Sequence, residues 1–185
     1  EFGIPAEIVS MFLDLHGVIV EKTGPYSLLF LFSIGISRPK SMKLLTILND
    51  FKAAFDANLS VREMLPNLYQ EYPQFYRKMR IQELASRIHN LMKEYDLPTM
   101  MYHAFDCLPE ISMTPHQAFQ KLIKGKAKFI KLSELEGHTS AVMVLPYPPG
   151  VPLIMPGERI TSSSRKVLDY LIMLEKIGQE VPGFE

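Results

Sequence analysis

The sequence contains a single cysteine, Cys107, among its 185 residues. One cysteine excludes an internal disulfide framework, and its apolar setting, AFDCLP, has no obvious neighbour that would activate a catalytic thiol. This usage fits a reducing compartment, so we expect a cytoplasmic protein. The chain also lacks a charge excess, because 20 lysine and arginine residues balance 20 aspartate and glutamate residues. Without a block of like charge, binding of a polyanion through bulk electrostatics is not expected.

Long hydrophobic runs and the common site motifs are missing as well. The apolar run Ser27–Ile36 is far shorter than the roughly 20 residues of a membrane-spanning helix, and no signal peptide opens the chain. Neither a Gly-x-Ser-x-Gly elbow nor a P-loop occurs, which argues against a serine hydrolase that uses such an elbow and against a phosphate-binding loop. No metal site is predicted, because the histidines have no i+4 histidine or nearby cysteine pair; they are His16, His89, His103, His116 and His138.

The first recognisable element is a helix. Apolar residues follow Pro5 at helical spacing, and Gly17 supplies a C-terminal stop. Two strands are predicted next, at Val18–Thr23 and Ser27–Ile36, joined by a Gly-Pro turn. The second is apolar on both faces, which predicts a central strand covered on each side. A helix beginning at Ser37 completes a helix–strand–strand–helix block.

The pattern changes near residue 57. Ser60 with Glu63, and Thr114 with Gln117, have the spacing of a capping box, in which a hydroxyl is followed three residues later by a carboxylate or amide. Between them, apolar residues at helical spacing over 81–95 predict the clearest amphipathic helix of the chain.

Further strands and one more helix are predicted towards the end. The strands are Phe129–Leu132, Ala141–Leu145 and Val151–Met155, and the final helix, capped at Ser162 or Ser163, is stopped by Gly178 and Pro182. Taken together, these elements predict an α+β fold with one domain at residues 1–57 and a second at residues 58–185.

Two stretches carry a more specific signal. GVIVEKTGPYSLLFLFSIGI fills Gly17–Ile36, and LPYPPGVPLIMP fills Leu145–Pro156. The second is rich in proline yet apolar, which is typical of a buried, fixed corner rather than a solvated linker. Together they resemble the C-terminal portion of the bacterial ornithine, lysine and arginine (Orn/Lys/Arg) decarboxylases, pyridoxal-phosphate (PLP) enzymes of the aspartate-aminotransferase fold type.

The resemblance covers nearly the whole chain and gives each predicted domain an identity. It implies that residues 1–57 are the end of the small α/β domain of a PLP fold-type-I enzyme. Residues 58–185 would then be the α+β Orn/Lys/Arg decarboxylase C-terminal domain. We therefore expect the chain to be a fragment of a longer protein.

PLP chemistry requires a lysine that forms an aldimine with the cofactor, an acid beside the pyridinium nitrogen and a phosphate cup. In the family that this chain resembles, the aldimine lysine follows a histidine, and no His-Lys pair occurs here. The resemblance therefore implies that PLP is held by a missing upstream part. It also implies that this segment contains no catalytic residue and is inactive alone.

Glu21 is the candidate substrate-binding residue. In the predicted strand it shares a face with Ile19, and the resemblance implies that an acid in this motif reaches the distal ammonium of the bound amino acid. A partly buried carboxylate needs a cation, and such an ammonium supplies one through a charge-assisted hydrogen bond. The alternative is an acid at the strand end that pairs with Lys22 or Lys43, or that is simply solvated.

The same motif bears on the substrate. The lysine branch of the family resembles EKTGPY followed by LLFLFSIGI, as they stand at Glu21–Tyr26 and Leu28–Ile36. The implied activity is the conversion of L-lysine to cadaverine and CO2, in polyamine metabolism or acid stress. An ornithine or arginine decarboxylase, and a non-catalytic regulatory or assembly module on the same scaffold, are the alternatives.

The resemblance also implies partners. Family members are homodimers with active sites between the subunits, and many assemble into rings of dimers. Enteric inducible members bind a guanosine tetraphosphate alarmone through basic residues, and Arg80, in KMRIQEL, matches one of these positions. Arg80 is therefore a candidate effector-binding residue, although Ser60 stands where a second basic residue would be expected. The alternative is that Arg80 is a solvated residue at the start of a helix.

Overall fold

The structure, a computed structural model, describes residues 3–146 and 150–184. It is α+β, as the sequence predicts, with many helices and short antiparallel strands. Two compact units divide the chain. The first comprises the residues up to Lys93 together with those from Gly178, and the second comprises Glu94–Ile177.

The first unit begins with helix α1, Ala6–Leu15, where the sequence predicts it. The helix starts directly after Pro5, whose fixed φ suits an entry into the first turn. It ends before Gly17, which has a φ of 70°. A residue without a Cβ adopts that conformation at little cost, so Gly17 lets the chain leave the helix.

A hairpin and a long helix follow α1. The hairpin consists of β1, Lys22–Thr23, paired antiparallel with β2, Leu28–Leu29. Helix α2 then covers Arg38–Asp56. Phe12 on α1 packs edge-on against Phe51 on α2, with ring centroids 5.4 Å apart, so the two helices share an aromatic core.

The prediction of a buried central strand at Ser27–Ile36 is wrong. Within this stretch the strand is limited to Leu28 and Leu29, and the apolar side chains after it are exposed: Leu31 by 70%, Phe32 by 59% and Ile34 fully. A strand that is apolar on both faces is buried only when neighbouring strands and covering layers are available. The described residues supply a two-residue partner strand and no cover for this segment.

The remainder of the first unit is helical. Three short helices follow, two of which begin at a proline: α3, α4 and α5, at Val61–Met64, Pro66–Glu71 and Pro73–Tyr76. Helix α6, Ile81–Glu94, buries the predicted apolar stripe. Tyr76 is fully buried, and its hydroxyl donates to the Pro182 carbonyl at 2.5 Å, which ties the end of the chain to this unit.

The second unit combines helices with a small two-stranded antiparallel sheet. Its elements are α7 (Leu97–Asp106), β3 (Glu110–Ile111), α8 (Pro115–Ile123), β4 (Glu158–Arg159) and most of α9 (Arg165–Glu180). Helix α7 is not among the predicted elements. It has Pro98 in its first turn, where the missing N–H of a proline has no partner to lose. The final helix ends at Glu180, between the two residues predicted to stop it, Gly178 and Pro182.

The predicted strands of this unit are largely wrong. Phe129–Leu132 forms no strand, and the other two are reduced to one isolated bridge between Val144 and Ile154. Prolines flank or interrupt the last two of these segments and cannot donate to a strand ladder, which limits the pairing there. Leu153 and Ile154 are nevertheless buried, so this part of the proline-rich corner is packed as predicted. Residues 147–149 of the corner lie outside the described residues.

The predicted domain boundary after residue 57 stays a prediction. The compact units separate at Lys93 and Glu94, which groups helices α3 to α6 with the first unit.

Candidate functional site

Glu21 lies at the open end of the β1–β2 hairpin. The predicted strand Val18–Thr23 is shorter than expected, since β1 begins at Lys22. The backbone N–H of Glu21 still donates to the Leu29 carbonyl at 2.9 Å, so its main chain is held against β2. The side chains of Glu21 and Ile19 are both exposed. The neighbouring isoleucine therefore does not bury the carboxylate within this chain.

The hairpin is fixed to α1 by polar contacts. Thr23 is 4% exposed, and its hydroxyl donates to the Ser10 hydroxyl at 3.2 Å. At the tip of the hairpin, the Pro25 carbonyl accepts from the Ala6 N–H at 3.0 Å. These hydrogen bonds fix the position of the backbone that carries Glu21.

Arg80 occupies a different place, immediately before α6. It forms an isolated antiparallel bridge with Ser60, so the structure brings the candidate effector-binding residue next to the serine that stands where a second basic residue would be expected. The Arg80 side chain is exposed, and its Nη1 donates to the Asn58 carbonyl at 2.7 Å. Asn58 has a φ of 52°, and its Oδ1 accepts from the Gln82 N–H at 3.2 Å. Arg80 thus helps to close the turn between α2 and α3.

Ser60 has a structural role that needs no ligand. Its capping box is confirmed: the hydroxyl accepts from the Glu63 N–H at 3.2 Å, and the Ser60 N–H donates to Glu63 Oε2 at 3.0 Å. Hydrogen bonds from Ser60 lower the pKa of Glu63, and the bond from the side chain has a larger effect than the bond from the backbone N–H. The positive charges of Arg80 and Arg62 lower this pKa further. Glu63 thus places a carboxylate near Arg80, which reduces the positive potential there.

The residues of this chain do not fit a PLP site. Every lysine is exposed, whereas a lysine that acts as an amine nucleophile is commonly desolvated in a pocket. Among the described residues, no three His, Cys, Asp or Glu side chains cluster as metal ligands. In the same part of the chain, no helix combines the length and apolarity needed to cross a membrane.

The second unit contains a cavity of about 250 Å³ that was not predicted from the sequence. Its walls combine acidic and basic groups with an apolar methionine: Tyr95, Asp96, Thr99, Met100, His103, Lys166 and Asp169. Asp96, Met100 and His103 recur at helical spacing along α7, which is the signal that could have revealed a shared face. Neither Glu21 nor Arg80 lines this cavity.

Family models match both ends of the chain. The model described as "Orn/Lys/Arg decarboxylase, major domain" matches residues 1–40, and that described as "Orn/Lys/Arg decarboxylase, C-terminal domain" matches residues 98–185. Together they cover more than two thirds of the sequence. The chain belongs to the Orn/Lys/Arg decarboxylase family.

Within this family, the chain is similar over its whole length to proteins named as lysine decarboxylases. The chain is 60% identical to the constitutive lysine decarboxylase of Escherichia coli, over all 185 residues and 26% of that protein. It also matches the crystal structure of the Francisella novicida lysine decarboxylase LdcF, with a TM-score of 0.88 and 57% identity, over the whole chain and 26% of that structure. The chain thus spans about a quarter of the length of these relatives.

Identity falls by half in the other branches of the Orn/Lys/Arg decarboxylase family. The biodegradative arginine decarboxylase of Escherichia coli is 31% identical, and the constitutive ornithine decarboxylase of the same organism is 30% identical, each over the full chain.

Proposed function

We propose that this chain is the C-terminal part of a PLP-dependent lysine decarboxylase, which converts L-lysine to cadaverine and CO2. The observation that carries the proposal is the difference in identity over the same span, 60% for a lysine decarboxylase against 31% and 30% for the arginine and ornithine enzymes. The exposure of every lysine supports a cofactor site in the upstream part of the protein. We further propose a cytoplasmic homodimer that can assemble into a ring of dimers.

In this proposal, Glu21 binds the distal ammonium of the substrate. An ionised carboxylate accepts a charge-assisted hydrogen bond from that ammonium, and this contact discriminates against amino acids that lack a terminal cation. The position of Glu21 at the open end of a hairpin leaves its side chain at the surface of this segment, where the remainder of the enzyme can complete a cleft around it. Loss of water from the cleft then strengthens the ion pair.

The test is the Glu21→Gln variant of the full-length enzyme, assayed with lysine, ornithine and arginine. Glutamine keeps the size of the side chain but removes the charge, so we expect kcat/KM for lysine to fall about tenfold to hundredfold, from the loss of a charged hydrogen bond of roughly 1.5–3 kcal/mol. Glu175→Gln, which changes an exposed acid on α9, is the matched control and should leave the kinetics unchanged. Equal kinetics for Glu21→Gln and the control would remove Glu21 from the site.

A second candidate is a non-catalytic regulatory or assembly module that keeps the decarboxylase scaffold. The specific observation in its favour is that no lysine of this chain is buried in a site that could hold PLP. Addition of PLP to the full-length protein separates the two. An absorbance band of the bound aldimine supports the enzyme, and its absence supports the module.

Arg80 remains a candidate for binding an anionic effector. Its hydrogen bond to Asn58 and the nearby Glu63 carboxylate provide a structural role without a ligand. Inhibition of the full-length enzyme by guanosine tetraphosphate, measured with and without Arg80→Ala, decides between these roles.

A further inference from the structure

A side-chain contact joins the tip of the β1–β2 hairpin to helix α6. The hydroxyl oxygen of Tyr26 lies 2.7 Å from Nδ1 of His89, and the two residues are 63 positions apart in the sequence. Their rings also meet edge-on, with centroids 5.8 Å apart and an angle of 66° between the planes. The hydroxyl donates to Nδ1 when the imidazole carries its proton on Nε2.

The Tyr26 ring is confined on a second side by the backbone. A Cβ placed on Gly3 would lie 3.0 Å from ring carbons of Tyr26, so the glycine lets the main chain approach the ring closely. Partial burial raises the pKa of the Tyr26 phenol, so the group that faces His89 is a neutral hydroxyl. His89 itself is placed by α6, whose neighbouring residue Ile88 is 1% exposed.

A series of backbone hydrogen bonds connects the tip of the β1–β2 hairpin to Glu21. The Gly24 N–H donates to the Ser27 carbonyl at 2.8 Å, Thr23 pairs with Leu28, and the Glu21 N–H reaches Leu29. A two-stranded hairpin is only marginally stable alone, so its location depends on the contacts at its tip and sides. Contacts with α1 hold one side, and Tyr26 adds the contact with α6.

We propose that Tyr26 and His89 are positioning residues for the substrate contact of Glu21. They hold the hairpin so that the carboxylate meets the distal ammonium of the substrate, without touching the substrate themselves. The inference rests on the function proposed above. A displacement of about 1 Å at a binding group is enough to weaken catalysis substantially, so loss of the anchor should be visible in the kinetics with lysine.

The experiment uses the full-length enzyme loaded with PLP and the conservative variant Tyr26→Phe, which removes only the hydroxyl. We measure kcat and KM for lysine, together with the inhibition constant of norleucine, which has the same carbon chain without the distal ammonium. We expect Tyr26→Phe to lower kcat/KM for lysine about threefold to tenfold, chiefly through KM, and to leave norleucine binding unchanged. Tyr102→Phe, at a tyrosine that is 67% exposed, is the matched control.

Two further variants test the route of the effect. In the Glu21→Gln background, Tyr26→Phe should cause no additional loss, because the group that it positions has lost its charge. His89→Asn can offer an amide oxygen to the Tyr26 hydroxyl and should retain more activity than His89→Ala.

The outcomes separate this inference from the proposed function. A loss with Glu21→Gln but none with Tyr26→Phe overturns the positioning role and leaves the proposed function standing. Three other results also overturn it, because each indicates a general structural effect. One is an equal loss of affinity for lysine and for norleucine, and another is a lower melting temperature with an unchanged ratio of the two affinities. The last is additive losses when Tyr26→Phe is combined with Glu21→Gln. If Glu21→Gln is itself without effect, the Glu21 site of the proposed function is wrong and this inference falls with it.

Discussion

At the scale of single residues, two glutamates stabilise the chain by accepting bonds from backbone N–H groups. Glu63 accepts from the N–H of Ser60, and Glu158 accepts from the N–H of Met155 at 2.7 Å. Each bond satisfies a donor that a turn or a helix start leaves without a backbone partner. Both glutamates therefore have a role in folding, although a carboxylate in such a position can resemble a ligand-binding group in the sequence.

The capping box of Ser60 and Glu63 should depend on pH. Since the folded state lowers the pKa of Glu63, its contribution is complete above the ordinary carboxyl pKa and is lost as the pH falls through the lowered value. We expect the stability advantage of the wild type over Glu63→Gln to disappear at acidic pH, as measured by urea unfolding across a pH series. The uncharged box of Thr114 and Gln117 provides the control, because the cost of Thr114→Ala should not change in this way. A constant difference between wild type and Glu63→Gln would contradict the prediction.

At the scale of elements, the two-stranded sheet of β3 and β4 depends on one glycine. Gly157 has a φ of 93°, and its carbonyl accepts from the N–H groups of Ser112 and Met113 at 3.0 and 3.1 Å. Its own N–H donates to the Ser140 carbonyl at 2.8 Å. Gly157 is therefore the point where three segments of the second unit meet.

Gly157→Ala should destabilise the protein by more than the cost of placing an alanine at a positive φ. A Cβ at this position would lie 2.2 Å from the Met113 carbonyl oxygen, and backbone atoms cannot move aside cheaply. We expect a loss of at least about 2 kcal/mol in the free energy of unfolding. Gly125→Ala is the matched control, because Gly125 has a φ of 65° with no atom within 4 Å of its Cβ, and should cost about 1 kcal/mol. If urea unfolding gives the same loss of unfolding free energy for both variants, the close contact at Gly157 is unimportant.

At the scale of the whole molecule, apolar surface is concentrated after β2. Leu29, Leu31, Phe32 and Ile34 are more than half exposed, and all four lie within the residues that match the major domain of the Orn/Lys/Arg decarboxylases. A contiguous apolar surface of this kind typically marks an interface. We infer that the remainder of the major domain covers it in the full-length enzyme.

The isolated chain should therefore self-associate. We expect its sedimentation coefficient to rise with concentration, and the double variant Leu31→Ser, Phe32→Ser to reduce that rise, because two large apolar side chains leave the patch. Phe129→Ser, at an exposed aromatic residue of the second unit, is the control. A monomeric wild-type chain at all concentrations would contradict the assignment of this segment to a buried interface.

Local patterns in the sequence predict much of the fold because their causes are local. The two capping boxes and the apolar stripe of α6 are confirmed, since side-chain hydroxyls, amides and helical periodicity act within a few residues. The strands are predicted poorly, because pairing depends on partners elsewhere in the chain. The segment at 129–132 finds no partner, while Glu110 and Arg159, which have no clear strand signal, pair across 49 positions.

The candidate site divides in the same way. The motif around Glu21 can be recognised in the sequence because a run of specific residue types is a property of the chain itself, and family membership follows from it. The contact between Tyr26 and His89, the bond from Arg80 to Asn58 and the cavity of the second unit join residues that are distant in sequence. Only the tertiary structure determines such contacts, because they arise when helices and hairpins pack, and packing depends on the shape of every neighbouring side chain.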